Sequence, residues 1–220
     1  LKRDLETFRG SNAVFVFLVA YKQKELEAES LQRMTIQAQL QAIRNQVNPH
    51  FLFNNLNVLS GLVIRDNPEA NEFVEAFSKV YRRILNTQHE ELVTLESEIE
   101  YIQPYIYLLK KRFADGLTVI LNIPDHFRTL KAVPGALQIL IENAIKHNIV
   151  SKKNPLIIDI SVNGTGMLVV TNNLQIKDTL ESSTRIGLNN IRQRYEMTTG
   201  RSILVRQEND FFRVSLPLLT

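Results

Sequence analysis

The 220-residue sequence predicts an α plus α+β molecule, an antiparallel helical hairpin followed by an α/β sandwich. Three observations carry this. Ile36, Leu40, Ile43 and Val47 recur at steps of four, three and four, which is a heptad seam on a helix. Asp66-Asn67-Pro68 interrupts the helical pattern, and a second amphipathic run follows at once. From Leu117 the apolar spacing changes from helical periods to strand-like alternation.

Composition bounds the function. Hydrophobic residues make up 44% and charged residues 22%, ordinary for a globular chain. A net charge of +3 is too small to point to nucleic acid. With no cysteine, disulfides and thiolate metal sites are excluded. Residues 12–21 are apolar, but as a helix they would reach only about 15 Å, half of a bilayer's hydrocarbon core. Flanked by Lys2, Arg3 and Arg9 and by Lys22 and Lys24, they suit an interfacial stretch, the start of a buried helix or a short strand. No small-residue cleavage site follows, against a signal peptide. The expected divisions are a short N-terminal segment at 1–24, a helical region at 25–113 and a mixed strand-and-helix domain at 114–220.

From Lys22 to about Arg65 the pattern is helical. The heptad seam, continued, lands on the polar residues His50, Asn54 and Asn57, while the apolar stripe resumes at Leu52, Leu56, Leu59 and Val63. Pro49 removes an amide donor and presses on the carbonyl of Asn45, which predicts a bend. A neutral imidazole there, with an ordinary pKa of about 6.5, is a competent nucleophile. Asn67 can cap the second helix and Pro68 suits its first position. That helix carries Phe73, Val74, Phe77, Val80, Tyr81, Ile84 and Leu85. One hairpin leaves an apolar face; a second copy would bury it in a four-helix bundle. The alternative is a monomer whose hairpin packs on its own chain. Thr94 to Arg112 reads as a further helix with acids at its start and bases at its end, kinked or split at Pro104 and closed by Ala114-Asp115-Gly116.

Beyond it, Leu117–Ile123, Leu156–Val162, Met167–Thr171, Ile203–Gln207 and Phe211–Leu216 read as strands. Asn163-Gly164-Thr165-Gly166 reads as a hairpin turn, and helices are expected at about 135–148 and 186–198. The chain has neither a P-loop nor a Rossmann fingerprint. On the first of these helices Leu137, Leu140, Ile141, Ala144 and Ile145 face the sheet, and Gln138, Glu142, Asn143, Lys146 and His147 fall on the other side. An acid, an amide, a cation and an imidazole on one face can handle a Mg²⁺–triphosphate. The same residues also suit a plain solvated face.

Three segments carry a resemblance over about residues 30–200. Asn48-Pro49-His50-Phe51-Leu52-Phe53-Asn54 resembles the phosphoacceptor box of LytS-type sensor histidine kinases. Thr94-Leu95-Glu96 with Glu98-x-x-Tyr101-Ile102 is similar to that family's connector. Glu142-Asn143-Ala144-Ile145-Lys146-His147 resembles the asparagine box of the GHKL (Bergerat) ATP-binding fold. The resemblance implies ATP and Mg²⁺ as cofactors and His50 as the phosphorylated residue. It implies Glu142 as the base that polarises the attacking group, Asn143 as the Mg²⁺ ligand, and Lys146, His147 and Asn148 as phosphate contacts. Asn54 takes the place of a phosphatase residue.

Two boxes are altered. Where the family has Asp-x-Gly reading adenine, this chain has Asn172-Asn173-Leu174; an Asn carbonyl can still accept from an exocyclic amine. The Gly-x-Gly-Leu-x-Asn box appears as Arg185-Ile186-Gly187-Leu188-Asn189-Asn190, followed by Arg192. Gly187 at a helix start lets phosphate approach backbone amides, and Gln175–Thr184 has the make-up of a nucleotide lid. Implied partners are a second copy of the chain and a response regulator of the LytTR type, with no direct nucleic acid. The chain would be the cytoplasmic portion of a plasma-membrane protein whose upstream segments are missing here. The alternative reading is a degenerate kinase, a dimeric nucleotide-responsive scaffold weakened by Asn172 and Arg185.

Overall fold

The computed structural model describes residues 22–27, 29–30, 32, 34, 49–64, 67–86, 90–177, 186–208 and 210–220, with backbone alone at 49, 50, 84–86 and 186. Residues 12–21, the seam Ile36–Val47, the predicted bend around Asn45, and Arg185 lie outside the described residues. The chain forms two compact units, Leu1–Pro49 and His50–Thr220. In the first, 22–27 is helical. Among the described residues no helix is long and apolar enough to cross a membrane.

The second unit begins with helices α1 (Pro49–Ile64) and α2 (Glu69–Asn86), then the short strand β1 (Val93–Thr94) and helix α3 (Leu95–Phe113). Next come β2 (Leu117–Asn122), β3 (Lys131–Ala132), α4 (Ala136–His147), β4 (Leu156–Val162) and β5 (Met167–Asn173). Helix α5 (Ile186–Thr199) and strands β6 (Leu204–Glu208) and β7 (Phe211–Pro217) complete it.

Asn67 caps α2 as expected: its Oδ1 accepts the Glu69 N–H at 3.0 Å. The hairpin's inner face differs from the predicted stripe. Phe51 and Asn55 are buried on α1, and Val58, Leu59 and Leu62 pack beside the core, while Leu56 and Val63 are exposed. Local periodicity marked one apolar face of a helix that carries two. The buried face is selected by α2 and α3. Phe51 stacks on Tyr81 of α2 at 6.2 Å and on Tyr105 of α3 at 5.3 Å. Phe73 meets Tyr107 at 6.5 Å, and Glu69 pairs with Lys111 at 2.7 Å. Part of the hairpin's apolar surface is therefore covered by its own chain.

Helix α3 is one piece. Thr94 caps it, its hydroxyl accepting the Ser97 N–H at 3.2 Å, and Pro104 lies inside it without ending it. The five-stranded sheet has the order β2-β4-β5-β7-β6. Only β2 and β4 are parallel; the other pairs are antiparallel. Ile158, Ile160, Leu168 and Val170 form the buried row under α4 and α5, giving the mixed sheet with helices on one face. The β4–β5 turn is held by Asn163 Oδ1, which accepts N–H groups of Thr165 and Met167 at 3.1 and 2.9 Å. Strands β1 and β3 pair antiparallel, and Lys131 exchanges backbone hydrogen bonds with Leu219 at 2.7 and 3.0 Å.

Candidate functional site

The site is built around α4. Its N-cap, Gly135, has φ 75 and no capping side chain of its own. The carboxylate of Glu98, from α3, fills that role: Oε1 accepts the Gly135 N–H at 2.8 Å. Glu98 is buried, and burial pushes its carboxyl up, against the pull of the α4 amides and of Arg83 and Arg194. At the other end, the Lys177 ammonium donates to the carbonyls of Ile145 and Lys146 at 3.1 and 3.2 Å. A cation on the last carbonyls suits the negative end of the helix dipole.

Between these ends the helix has two sides. Leu137, Leu140, Ile141 and Ala144 are buried toward the sheet. Glu142, Asn143 and His147 are half-buried and Lys146 is exposed. Glu142 is held from two directions. Its Oε1 accepts the Tyr105 hydroxyl at 3.0 Å and the Gln138 amide at 2.8 Å. The Tyr101 hydroxyl in turn donates to Gln138 Oε1. Both tyrosine hydroxyls are pushed up, chiefly by burial. The imidazole of His147 is pushed down by burial and by the charges of Lys146 and Lys177.

Asn143, Asn148, Asn172 and Asn173 fall into two groups. Asn148 is buried and its carboxamide is engaged at both ends: Nδ2 donates to Ala144 O and Oδ1 accepts the Gln175 N–H, at 2.8 and 2.7 Å. Asn173 likewise bridges to the start of β4, accepting the Ile157 N–H at 2.8 Å and donating to Pro155 O at 3.1 Å. Asn143, by contrast, makes no side-chain hydrogen bond among the described residues. Asn172 shares the buried, helix-facing row of β5 with Leu168 and Val170, and among the described residues only its Nδ2 is used, on Asn173 O at 2.7 Å.

Gly187 opens α5 facing α4; a Cβ there would sit 3.5 Å from Ile139 Cγ2. Leu188 is half-buried, and Asn189 and Arg192 are exposed. The front of the expected lid is tied down: Ile149 N–H donates to Gln175 O at 2.7 Å and Lys177 N–H to His147 O at 3.3 Å. The rest of it, from 178, lies outside the described residues.

His50 lies in the first turn of α1, and its neighbour Phe51 is the ring stacked on Tyr105. Asn54 is half-buried, and among the described residues its Nδ2 has no hydrogen-bond partner. Among the described residues no three His, Cys, Asp or Glu side chains gather as a metal set. Sequence reasoning put Gln138 on the polar face of α4 and Glu98 and Tyr101 in the connector pattern but gave them no part in holding the site, and it did not single out Tyr105. The signal for Tyr105 was its position one helical turn from Tyr101 on α3.

Residues 38–117 match the histidine kinase family. The chain is 32% identical over 136 residues to the sensor histidine kinase/phosphatase LytS of Staphylococcus aureus strains MRSA252 and Mu50, which covers 62% of this chain and 23% of each relative. It thus spans about a quarter of the length of the curated relatives it matches. Among solved structures, the catalytic domain of histidine kinase ThkA is 16% identical at TM-score 0.41, covering 57% of this chain and 94% of that one. Acinetobacter baumannii histidine kinase AdeS is 15% identical at TM-score 0.41, covering 78% and 98%. Residues 38–117 are thus similar to the histidine kinase family, and over 136 residues the chain is similar to the LytS-type sensor kinases.

Proposed function

We propose that the chain is the transmitter region of a sensor kinase that phosphorylates itself on His50 and passes the phosphoryl group to an aspartate of a response regulator. The observation that carries this reading is the division among the asparagines. Asn148 and Asn173 spend both ends of their amides on the fold. Among the described residues Asn143 is uncommitted, and Asn172 has its nitrogen pinned, with the oxygen taking no hydrogen bond. Those two are the residues that the resemblance assigns to Mg²⁺ and to adenine. A carboxamide oxygen is a hard ligand suited to Mg²⁺, which keeps most of its shell for water and phosphate oxygens. The ion would supply charge neutralisation on the phosphates. Lys146 and the backbone at Gly187 would meet the triphosphate, and His147, held toward its neutral form, can donate to it without a large desolvation cost. Asn148 we assign to the fold rather than to phosphate, because its amide is already spent.

In the transfer step the Nε2 lone pair of His50 forms the bond to the γ-phosphorus. The bond from that phosphorus to the β,γ-bridging oxygen breaks, and ADP leaves with the electron pair. The proton on Nδ1 passes to the Glu142 carboxylate. The chain acts as a homodimer. On α1, Phe53, Val63 and Ile64 remain 64%, 61% and 81% exposed, a second apolar face away from the buried one, and an apolar face of this kind calls for a partner helix.

Incubation with γ-labelled Mg²⁺–ATP tests the reading. Wild-type protein takes up acid-labile label, His50→Gln takes none, and Asn143→Ala loses both label and nucleotide affinity. Nucleotide binding without label would favour the scaffold; phosphate release that survives His50→Gln would make the protein a free ATPase.

A further inference from the structure

We infer that Tyr105 is a positioning residue for Glu142, and that it ties the aim of that carboxylate to the helix carrying His50. The inference rests on the kinase reading above and adds a group that the reading does not need.

The geometry is a chain of contacts across three helices. Phe51, the residue after His50, lies with its ring stacked on Tyr105 at 5.3 Å and 27°. The hydroxyl of the same Tyr105 donates to Glu142 Oε1 at 3.0 Å. A second donor, Gln138 Nε2, takes the same oxygen at 2.8 Å and is itself fixed by the Tyr101 hydroxyl. Both donors converge on Oε1, and among the described residues Oε2 receives no hydrogen bond. A carboxylate held by one oxygen presents the other to incoming chemistry, and a base must be aimed within hydrogen-bond reach of its proton.

Nothing about the fold requires this arrangement for packing alone. Tyr105 is 2% exposed, and a phenylalanine would fill the same space without burying a hydroxyl. A buried hydroxyl is retained where it has a partner to satisfy, and here the partner is the proposed base. The ring serves the other direction. Phe51 lies between Tyr81 of α2 and Tyr105 of α3, so a rotation of α1 about its axis moves the surface against which Tyr105 rests. Ring and hydroxyl are one rigid group, so the displacement reaches Glu142 without an intermediate side chain. The phosphoacceptor helix and the base are thereby coupled within one protomer.

Tyr105→Phe separates the two functions, since it keeps the ring and removes the hydroxyl. In the labelling assay we expect its turnover at saturating Mg²⁺–ATP to fall about tenfold, with nucleotide affinity unchanged, because only transition-state positioning is lost. Phe51→Leu should lower turnover in the same way and Phe51→Tyr, which restores a ring, should recover it. Thermal denaturation of each variant reports the structural contribution. Wild-type turnover in Tyr105→Phe overturns the inference, as does a loss that runs in step with nucleotide affinity or melting temperature. If the wild type itself takes no label, the kinase reading fails and takes this one with it. A labelling wild type with an unaffected Tyr105→Phe removes the positioning role alone.

Discussion

Glu98 shows how one side chain can be misread from its setting in the sequence. It stands in the first turn of α3, where acids serve the helix dipole, and it reads as one of several. In the structure it is buried and caps a different helix, α4, through the Gly135 N–H. Burial is the largest influence on its carboxyl and raises it above the ordinary 4.5. A raised folded pKa means a contribution that is fully present below the unfolded value and is lost as pH rises through the folded one. Glu98→Gln keeps an acceptor for Gly135 and removes the charge. Its melting temperature should therefore gain on the wild type as pH rises above the ordinary carboxylate value. A gap between the two proteins that stays constant with pH would show that the α4 amides and the arginines balance burial.

At the scale of elements, α4 depends on both its ends. Lys177 Nζ covers the carbonyls of Ile145 and Lys146 and is one of two cations that hold the His147 imidazole down. Lys177→Met should cost about 1 kcal/mol, the usual worth of a terminal cation with its hydrogen bonds. It should also move the His147 titration upward toward 6.5. Chemical denaturation and imidazole proton resonances read the two effects separately.

The elements themselves were largely legible in the sequence. The five strands of the main sheet follow from alternation, and the turn at Asn163–Gly166 from its residue types. Strands β1 and β3 were not visible, because two residues carry no period. The continuity of helix α3 through Pro104 is not legible in the sequence, since local rules cannot tell a tolerated proline from a break. The residues that hold Glu142 were hidden for a different reason. Tyr101 and Tyr105 lie 37 positions from the partners they bond, and no spacing rule spans that interval. The roles of Asn148 and Asn173 were equally hidden, because an amide spent on backbone and an amide free for a ligand look alike in a sequence.

For the whole molecule, the informative surface is the outer side of α1. Its inner side is covered by α2 and α3, yet Leu56 and Val63, two turns apart, are 43% and 61% exposed. Introducing charge there should oppose self-association without touching the core. The Leu56→Glu, Val63→Glu double variant should run as a monomer in light scattering where the wild type runs as a dimer, with its circular dichroism unchanged. A wild type that is already monomeric would leave the hairpin's packing on its own chain as the whole account.

The stacked rings of Phe51 and Tyr105 must part before the hairpin can move against α3. Parting them wets aromatic surface, and wetting apolar surface raises heat capacity. Attraction of that kind weakens on cooling. The balance between a closed and an opened arrangement would therefore tilt toward opening in the cold, and the chain would carry a crude thermometer in the contact beside its proposed nucleophile.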